Sequence, residues 1–273
     1  MFGGELVATG SNSCIFKPNL PCKSSDKISN KRISKILYSE DAISESKNEK
    51  KMNEKIKKIK GYSRWCLIFD EYCKPMEKHI LQNYDPDGFN DCFLEEEEKY
   101  LIDDFDNNSY MMSGNFGGIT LNEYFEKVFY NKVSNNNTFS NEFYDLMRRM
   151  EPLFLGLKVM YENKIIHTDI KYNNIVMHNG VFKFIDFGMS EMISNKQHFK
   201  DRSLYEINTN RLYLFYPLDY LLFYITKKRI NEEINMVLNG YTRLNFFELD
   251  EILKLFNTNG VNNYLLVQDL FEN

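Results

Sequence analysis

A chain of 273 residues can bury a substantial core in one large domain or two lobes, and 43% hydrophobic with 27% charged residues excludes a disordered polymer. Its formal net charge of −5 offers no global attraction to nucleic acid or an anionic membrane, so neither is an expected partner. Five cysteines (14, 22, 66, 73, 92) without a CxxC pair, behind an N-terminus that carries no secretory or myristoylation signal, point to reduced thiols and a cytoplasmic setting.

From the N-terminus, "ELVATG", "SCIFKP" and "KRISKIL" read as three strands separated by turns, within residues 5–37. Residues 41–60 read as a helix ended by Gly61, with Glu45, Glu49, Met52, Ile56 and Ile59 on one face. Two glutamates on an inward stripe are unusual and suggest carboxylates seeking a cation. Seven lysines crowd residues 47–60, and a solvated helix face is the simplest reading of them.

"WCLIFDEYC" suggests a fourth strand. An acidic, Asn-rich stretch at about 82–108, containing "EEEE", reads as a surface insertion. "SYMMSGNFGGITLNEYF" then gives a strand, a Gly-rich turn and a helix start, and residues 131–141 read as a loop. Residues 141–162 form a long amphipathic helix whose stripe is Phe143, Leu146, Met150, Phe154, Leu157 and Tyr161, bent or broken near Pro152. "NIVMHNGVFKFI" reads as a hairpin turning at Asn179-Gly180. "RLYLFYPLDYLLFYI" (211–225) is apolar but too short to span a bilayer, and Pro217 and Asp219 interrupt it.

The order is α+β: strands with one helix, then mainly helices. Residues 1–112 form a small β-rich lobe, 113–118 a hinge, and 119–273 a mainly helical lobe that looks short.

The chemistry concentrates in "IIHTDIKYNNIVMHNGVFKFIDFG", residues 165–188. His167, Asp169, Lys171, Asn174 and Asp186 are costly inside apolar sequence unless they face a ligand, a metal or one another. Asp169 and Asn174 share one loop, and the hairpin returns Asp186 toward them. Three oxygen-bearing side chains in one cleft suit a hard divalent cation with phosphate oxygens.

This segment resembles the catalytic loop and D-F-G of eukaryotic-type protein kinases: H-T-D-I-K-Y-N-N here against H-R-D-x-K-x-x-N, then Asp186-Phe187-Gly188. The resemblance implies a bilobal kinase-like fold and transfer of the ATP γ-phosphate, with ATP and Mg²⁺ as cofactors. Asp169 is the implied base, Lys171 the charge stabiliser, and Asn174 and Asp186 the metal ligands. Lys171 favours serine/threonine over tyrosine specificity, hence a protein substrate with Ser/Thr hydroxyls. His167 is read as a buttress of the loop.

Outward from there, "LVATGSNSCIFKP" resembles a degraded glycine-rich phosphate loop, with Ala8 and Ser13 in the first and third glycine positions and Gly10 keeping the second. Lys35 matches the phosphate-holding lysine and Glu49 its helix partner, with Glu45 as the alternative. Met112 is the implied gatekeeper, Ser113 to Asn115 the adenine-binding backbone, and Val7, Ile15, Ile33 and Val176 the apolar walls.

Thr168 stands where many kinases carry arginine, so phosphorylation at Ser203, Tyr205 or Thr209 is not the expected switch. "YPLDY" resembles A-P-E with Asp219 for Glu; 54 residues follow it, and no Asp-x-Trp/Tyr-Ser-x-Gly helix is evident. The degraded glycines and Asn/Lys-rich composition are similar to divergent kinases of large cytoplasmic DNA viruses, which implies a host-cytoplasm or virion location. The other readings are a pseudokinase scaffold and a small-molecule phosphotransferase.

Overall fold

Strand-prone sequence near the N-terminus makes three strands: β1 (Glu5–Gly10), β2 (Ser13–Lys17) and β3 (Arg32–Leu37). The computed structural model describes residues 4–10, 13–24, 27–37, 40–92, 105, 109–136 and 139–195. The chain divides into two compact units, 1–192 and 193–273, and every secondary-structure element among the described residues belongs to the first. With β4 (Phe69–Cys73) and β5 (Tyr110–Asn115), these strands form an antiparallel sheet of order β1-β2-β3-β5-β4. Among the described residues no helix is long and apolar enough to cross a membrane.

Alternation along the strands assigns the two faces. Ala8, Ile15, Lys35 and Met112 are register partners in turn and share one face. Cys14, Phe16, Ile36 and Met111 share the other, in a core completed by Leu20, Cys22, Leu81, Phe89, Cys92 and Phe105.

That second core corrects two expectations. The stretch at 82–108 is not simply a surface insertion, because its described part buries Phe89, Cys92 and Phe105 against the sheet. It contributes the short helix α3 (Pro86–Asp91), preceded by α2 (Lys78–Leu81); "EEEE" lies outside the described residues. The cysteines are not all reduced either. Cys14 bonds Cys92 and Cys22 bonds Cys73, across 78 and 51 residues, and Cys66 alone is free and buried. Both pairs face the same apolar layer, which brings their Cα atoms to 5.8 and 5.9 Å.

Helix α1 (Glu40–Ile56) lies across the Lys35 face. Its Asn53 amide donates to the Tyr72 hydroxyl of β4 at 2.7 Å. Met52 and Ile56 join the larger core with Trp65, Phe182, Phe184 and Phe187.

After β5, Thr120 and Glu123 form a reciprocal cap on α4 (Leu121–Tyr124). The chain continues through a π turn (Phe125–Phe129) into α5 (Tyr130–Asn136), where a loop was expected. Phe129 is buried in the core beneath this join, and that packing outweighs the low helix propensity of the asparagines.

Helix α6 (Phe139–Glu162) runs unbroken through Pro152, and its buried face differs from the expected stripe. Leu146, Leu153, Gly156 and Met160 face inward, while Phe143, Phe154, Leu157 and Tyr161 are exposed. Gly156 sets the rotation: a Cβ there would stand 3.0–3.2 Å from Trp65 and Phe184 atoms, so this is where the helix backbone comes closest to the core.

Strands β6 (Ile165–Ile166) and β9 (Glu191–Met192) pair with each other, as do β7 (Ile175–His178) and β8 (Val181–Phe184). The β7–β8 turn places Asn179 and Gly180 at φ 53° and 80°, the left-handed pair that a two-residue hairpin requires.

Candidate active site

Lys35 is 8% exposed, and its Nζ lies 3.4 Å from both carboxylate oxygens of Asp186, 151 residues further along the chain. Asp186 reaches that point because β8 is held from two sides. Phe184 exchanges backbone hydrogen bonds with the 65–67 segment, and Ile185 N–H donates to the Asn174 carbonyl. Asp186 itself sits at φ 62°, a conformation costly for a non-glycine residue and typical of functional sites. Burial alone would raise Asp186 and lower Lys35. Their mutual attraction wins, holding Asp186 below the usual carboxylate range and Lys35 above the usual lysine range.

The expected Lys35–Glu49 ion pair does not form. Glu49 is almost wholly buried with Oε2 lacking a hydrogen-bond partner, and it accepts from the Phe187 backbone N–H. Burial first, then the charge of Asp186, pushes its carboxyl up to about 8 against the opposing pull of Lys35. Glu45 packs on Gly188: a Cβ at Gly188 would lie 2.7 Å from the Glu45 Cγ. Lys35 bonds Asp186, and the charges of Glu49 and Glu45 on α1 add to the attraction on it.

Asn48 completes that contact, donating to the carbonyls of Gly188 and Ser190 at 2.9 Å each. The sequence reading missed it, although positions 45, 48, 49 and 52 share one helix face. Phe187 is fully buried, with its ring 4.7 Å from that of His167.

The 167–174 loop is anchored from below. His167 Nε2–H donates to the Ile185 carbonyl at 3.1 Å, and burial lowers the ring's pKa, so it braces the loop as a neutral group. Thr168, at φ 62°, donates through Oγ1 to the Met189 carbonyl at 2.6 Å, and Ser190 Oγ donates to the His167 carbonyl at 3.0 Å. On this base Asn174 Nδ2 donates to Asp169 Oδ2 at 2.7 Å and to its carbonyl at 3.0 Å. Lys171 Nζ stands 3.0 Å from the same Oδ2. Two donors thus converge on one oxygen of a buried carboxylate, fixing its direction.

Residues 105–211 match the family model described as "Protein kinase domain". The fold is that of a protein kinase domain. A mitogen-activated protein kinase kinase kinase 1a from Physcomitrium patens is 48% identical over 44 residues, which is 16% of this chain and 6% of that protein. The chain therefore spans a small part of that relative's length.

In the five-stranded sheet, Ile15, Lys35 and Met112 lie side by side on one face with Ala8, and Ile33, two residues before Lys35, pairs with Gly114. Val7 is the bulge residue of β1 and is half exposed; Gly10 pairs with Ser13 at the hairpin end. Val176 packs on Gly117, where a Cβ would come within 2.6 Å of it. Ser113 and Asn115 belong to the opposite side-chain face, and Ser113 Oγ donates to the Ile33 carbonyl at 3.0 Å. Strand β5 therefore continues through the first half of the expected hinge, because β3 and β4 both pair with it there. Ser203, Tyr205, Thr209 and Asp219 lie outside the described residues.

Proposed function

We propose that this protein is an ATP- and Mg²⁺-dependent serine/threonine protein kinase. One observation carries the reading: Lys35 pairs with Asp186, Asn174 and Lys171 meet on Asp169, and the Ile185 N–H bond to the Asn174 carbonyl ties the two groups together, although they come from β3, the 167–174 loop and the end of β8. A structural role alone does not call for two lysines, two carboxylates and an amide placed in this way.

The donor set fits Mg²⁺. Asp186 offers a partly exposed carboxylate and Asn174 an amide oxygen, both hard ligands, and a cation bound to a nucleotide takes its remaining ligands from phosphates and water. When bound, the ion would neutralise charge on the phosphates. Lys35 would hold the nucleotide phosphates, Asp169 would orient and accept the proton of a substrate hydroxyl, and Lys171 would offset charge on the moving phosphoryl group. Lys171, two residues after Asp169, supports serine/threonine over tyrosine specificity and a protein over a small-molecule substrate.

The test is transfer of label from γ-labelled ATP·Mg²⁺ to a generic basic protein, with phosphoamino-acid analysis. Label on serine or threonine, reduced at least about 100-fold in Asp169→Asn, is expected. Absence of Asp169-dependent transfer would leave a nucleotide-binding or scaffolding module in its place.

A further inference from the structure

Between β4 and β5 the chain makes an excursion from Cys73 to Tyr110, and its described part grips the β1–β2 hairpin as well as the 21–23 segment that follows it. Asp85 Oδ2 accepts the Leu6 backbone N–H of β1 at 2.8 Å, while Asp85 Oδ1 accepts the Gly88 N–H at 3.0 Å. Gly88 lets the two segments close: a Cβ there would stand 2.7 Å from the Leu6 Cβ. One turn on, the Phe89 ring lies 6.3 Å from Phe16 of β2, and Cys92 is bonded to Cys14, the second residue of β2. Ring contact and covalent bond approach from the face opposite Lys35, and the hydrogen bond meets the backbone of β1 at the outer edge of the sheet.

We infer that Asp85 and Cys92 are positioning residues that brace the β1–β2 hairpin for the nucleotide phosphates. The inference rests on the proposed kinase function. Ala8 and Ser13 deny this hairpin two of the three glycines that let a backbone settle around phosphates. A hairpin less able to adapt must be held in place beforehand, and the brace supplies that preorganisation from behind. Neither residue touches the reacting atoms, so their loss acts on nucleotide affinity before it acts on turnover.

Hydrogen exchange on the full chain, followed by mass spectrometry, compares wild type with Asp85→Ala, Asp85→Asn and Cys92→Ser. Amides of residues 5–17 are expected to lose about 10-fold protection in Asp85→Ala and Cys92→Ser, with those of β7–β8 unchanged. Asp85→Asn, which retains one carbonyl acceptor, recovers part of it. In the transfer assay KM for ATP rises about 10-fold while kcat stays within about two-fold. Unchanged protection in both variants, an equal loss across the whole chain, or an unmoved KM would each overturn the inference. A wild-type chain that transfers no phosphate defeats the kinase reading instead, and the exchange pattern still decides whether the hairpin is braced.

Discussion

Replacing Lys35 with methionine removes the one cation that, among the described residues, forms an ion pair with Asp186. At 3.4 Å, with an effective dielectric near 20, the attraction is about 5 kcal/mol. Desolvation of the ammonium opposes it and is the largest single influence on Lys35. Asp186 keeps 29% side-chain exposure, so its unpaired charge is partly hydrated and costs less than the roughly 3–5 kcal/mol of a fully buried one. The expected net loss at pH 7 is about 2–3 kcal/mol.

The sign with pH follows from both partners. Asp186 is lowered from 3.8, so its contribution is present above about pH 4 and is lost as the pH falls through the depressed value. Lys35 is raised from 10.5, so its contribution is complete below that and fades only as the pH climbs through the raised value. Guanidinium unfolding of both proteins from pH 2.5 to 10 should show a gap that is steady between about 5 and 7, widens above about 8 because Glu49 loses the pull of Lys35 in the variant, and closes at the acidic end. A variant as stable as wild type at pH 7, or a gap indifferent to acid, would refute the reasoning.

Glu49, raised to about 8 from 4.5, contributes stability that is full below pH 4.5 and is lost as the pH rises through 8. Unfolding of Glu49→Gln should therefore gain on wild type by on the order of 3 kcal/mol between pH 5 and 8, and a constant difference would contradict that. Gly118→Ala forces a side chain onto φ 89° with its Cβ 2.3 Å from the Met177 carbonyl; calorimetry should show Tm lower by about 5 °C or more. Asn174→Ala takes two donors from Asp169, and kcat for label transfer should fall about 100-fold, while an unchanged kcat would remove Asn174 from the site. Replacing Ser203, Tyr205 and Thr209 together should leave most of the phosphotransfer rate, since Thr168 bonds the Met189 carbonyl and offers no cation to a phosphate; a collapse of the rate would say otherwise.

What the sequence made readable was local. Asn179-Gly180 dictated its turn, the periodicity of 41–60 placed Glu45 and Glu49 on the inner face of α1, and the 167–174 spacing marked the loop around Asp169. What it concealed depended on partners distant in the chain. Cys14 and Cys92 have no spacing to reveal them until an apolar layer brings them together. Phe89 and Phe105 are isolated in polar sequence, so their burial had no periodic signature. In α6 both faces carry large apolar residues, and the choice fell to Gly156, which counts for nothing in a hydrophobic stripe yet permits the closest approach to Trp65. The Lys35 partnership was legible as chemistry but not as geometry: an acid on α1 was expected to bond it, and the carboxylate that does so is Asp186.

ATP affinity measured calorimetrically with and without Mg²⁺ asks most directly whether Lys35, Asn174 and Asp186 converge on one triphosphate. Wild type should bind at least about 10-fold more tightly with Mg²⁺. Asp186→Asn should lose that difference, and Asp169→Asn should keep it. Equal affinities with and without the ion in wild type, or an Asp186→Asn variant that behaves as wild type, would contradict the account.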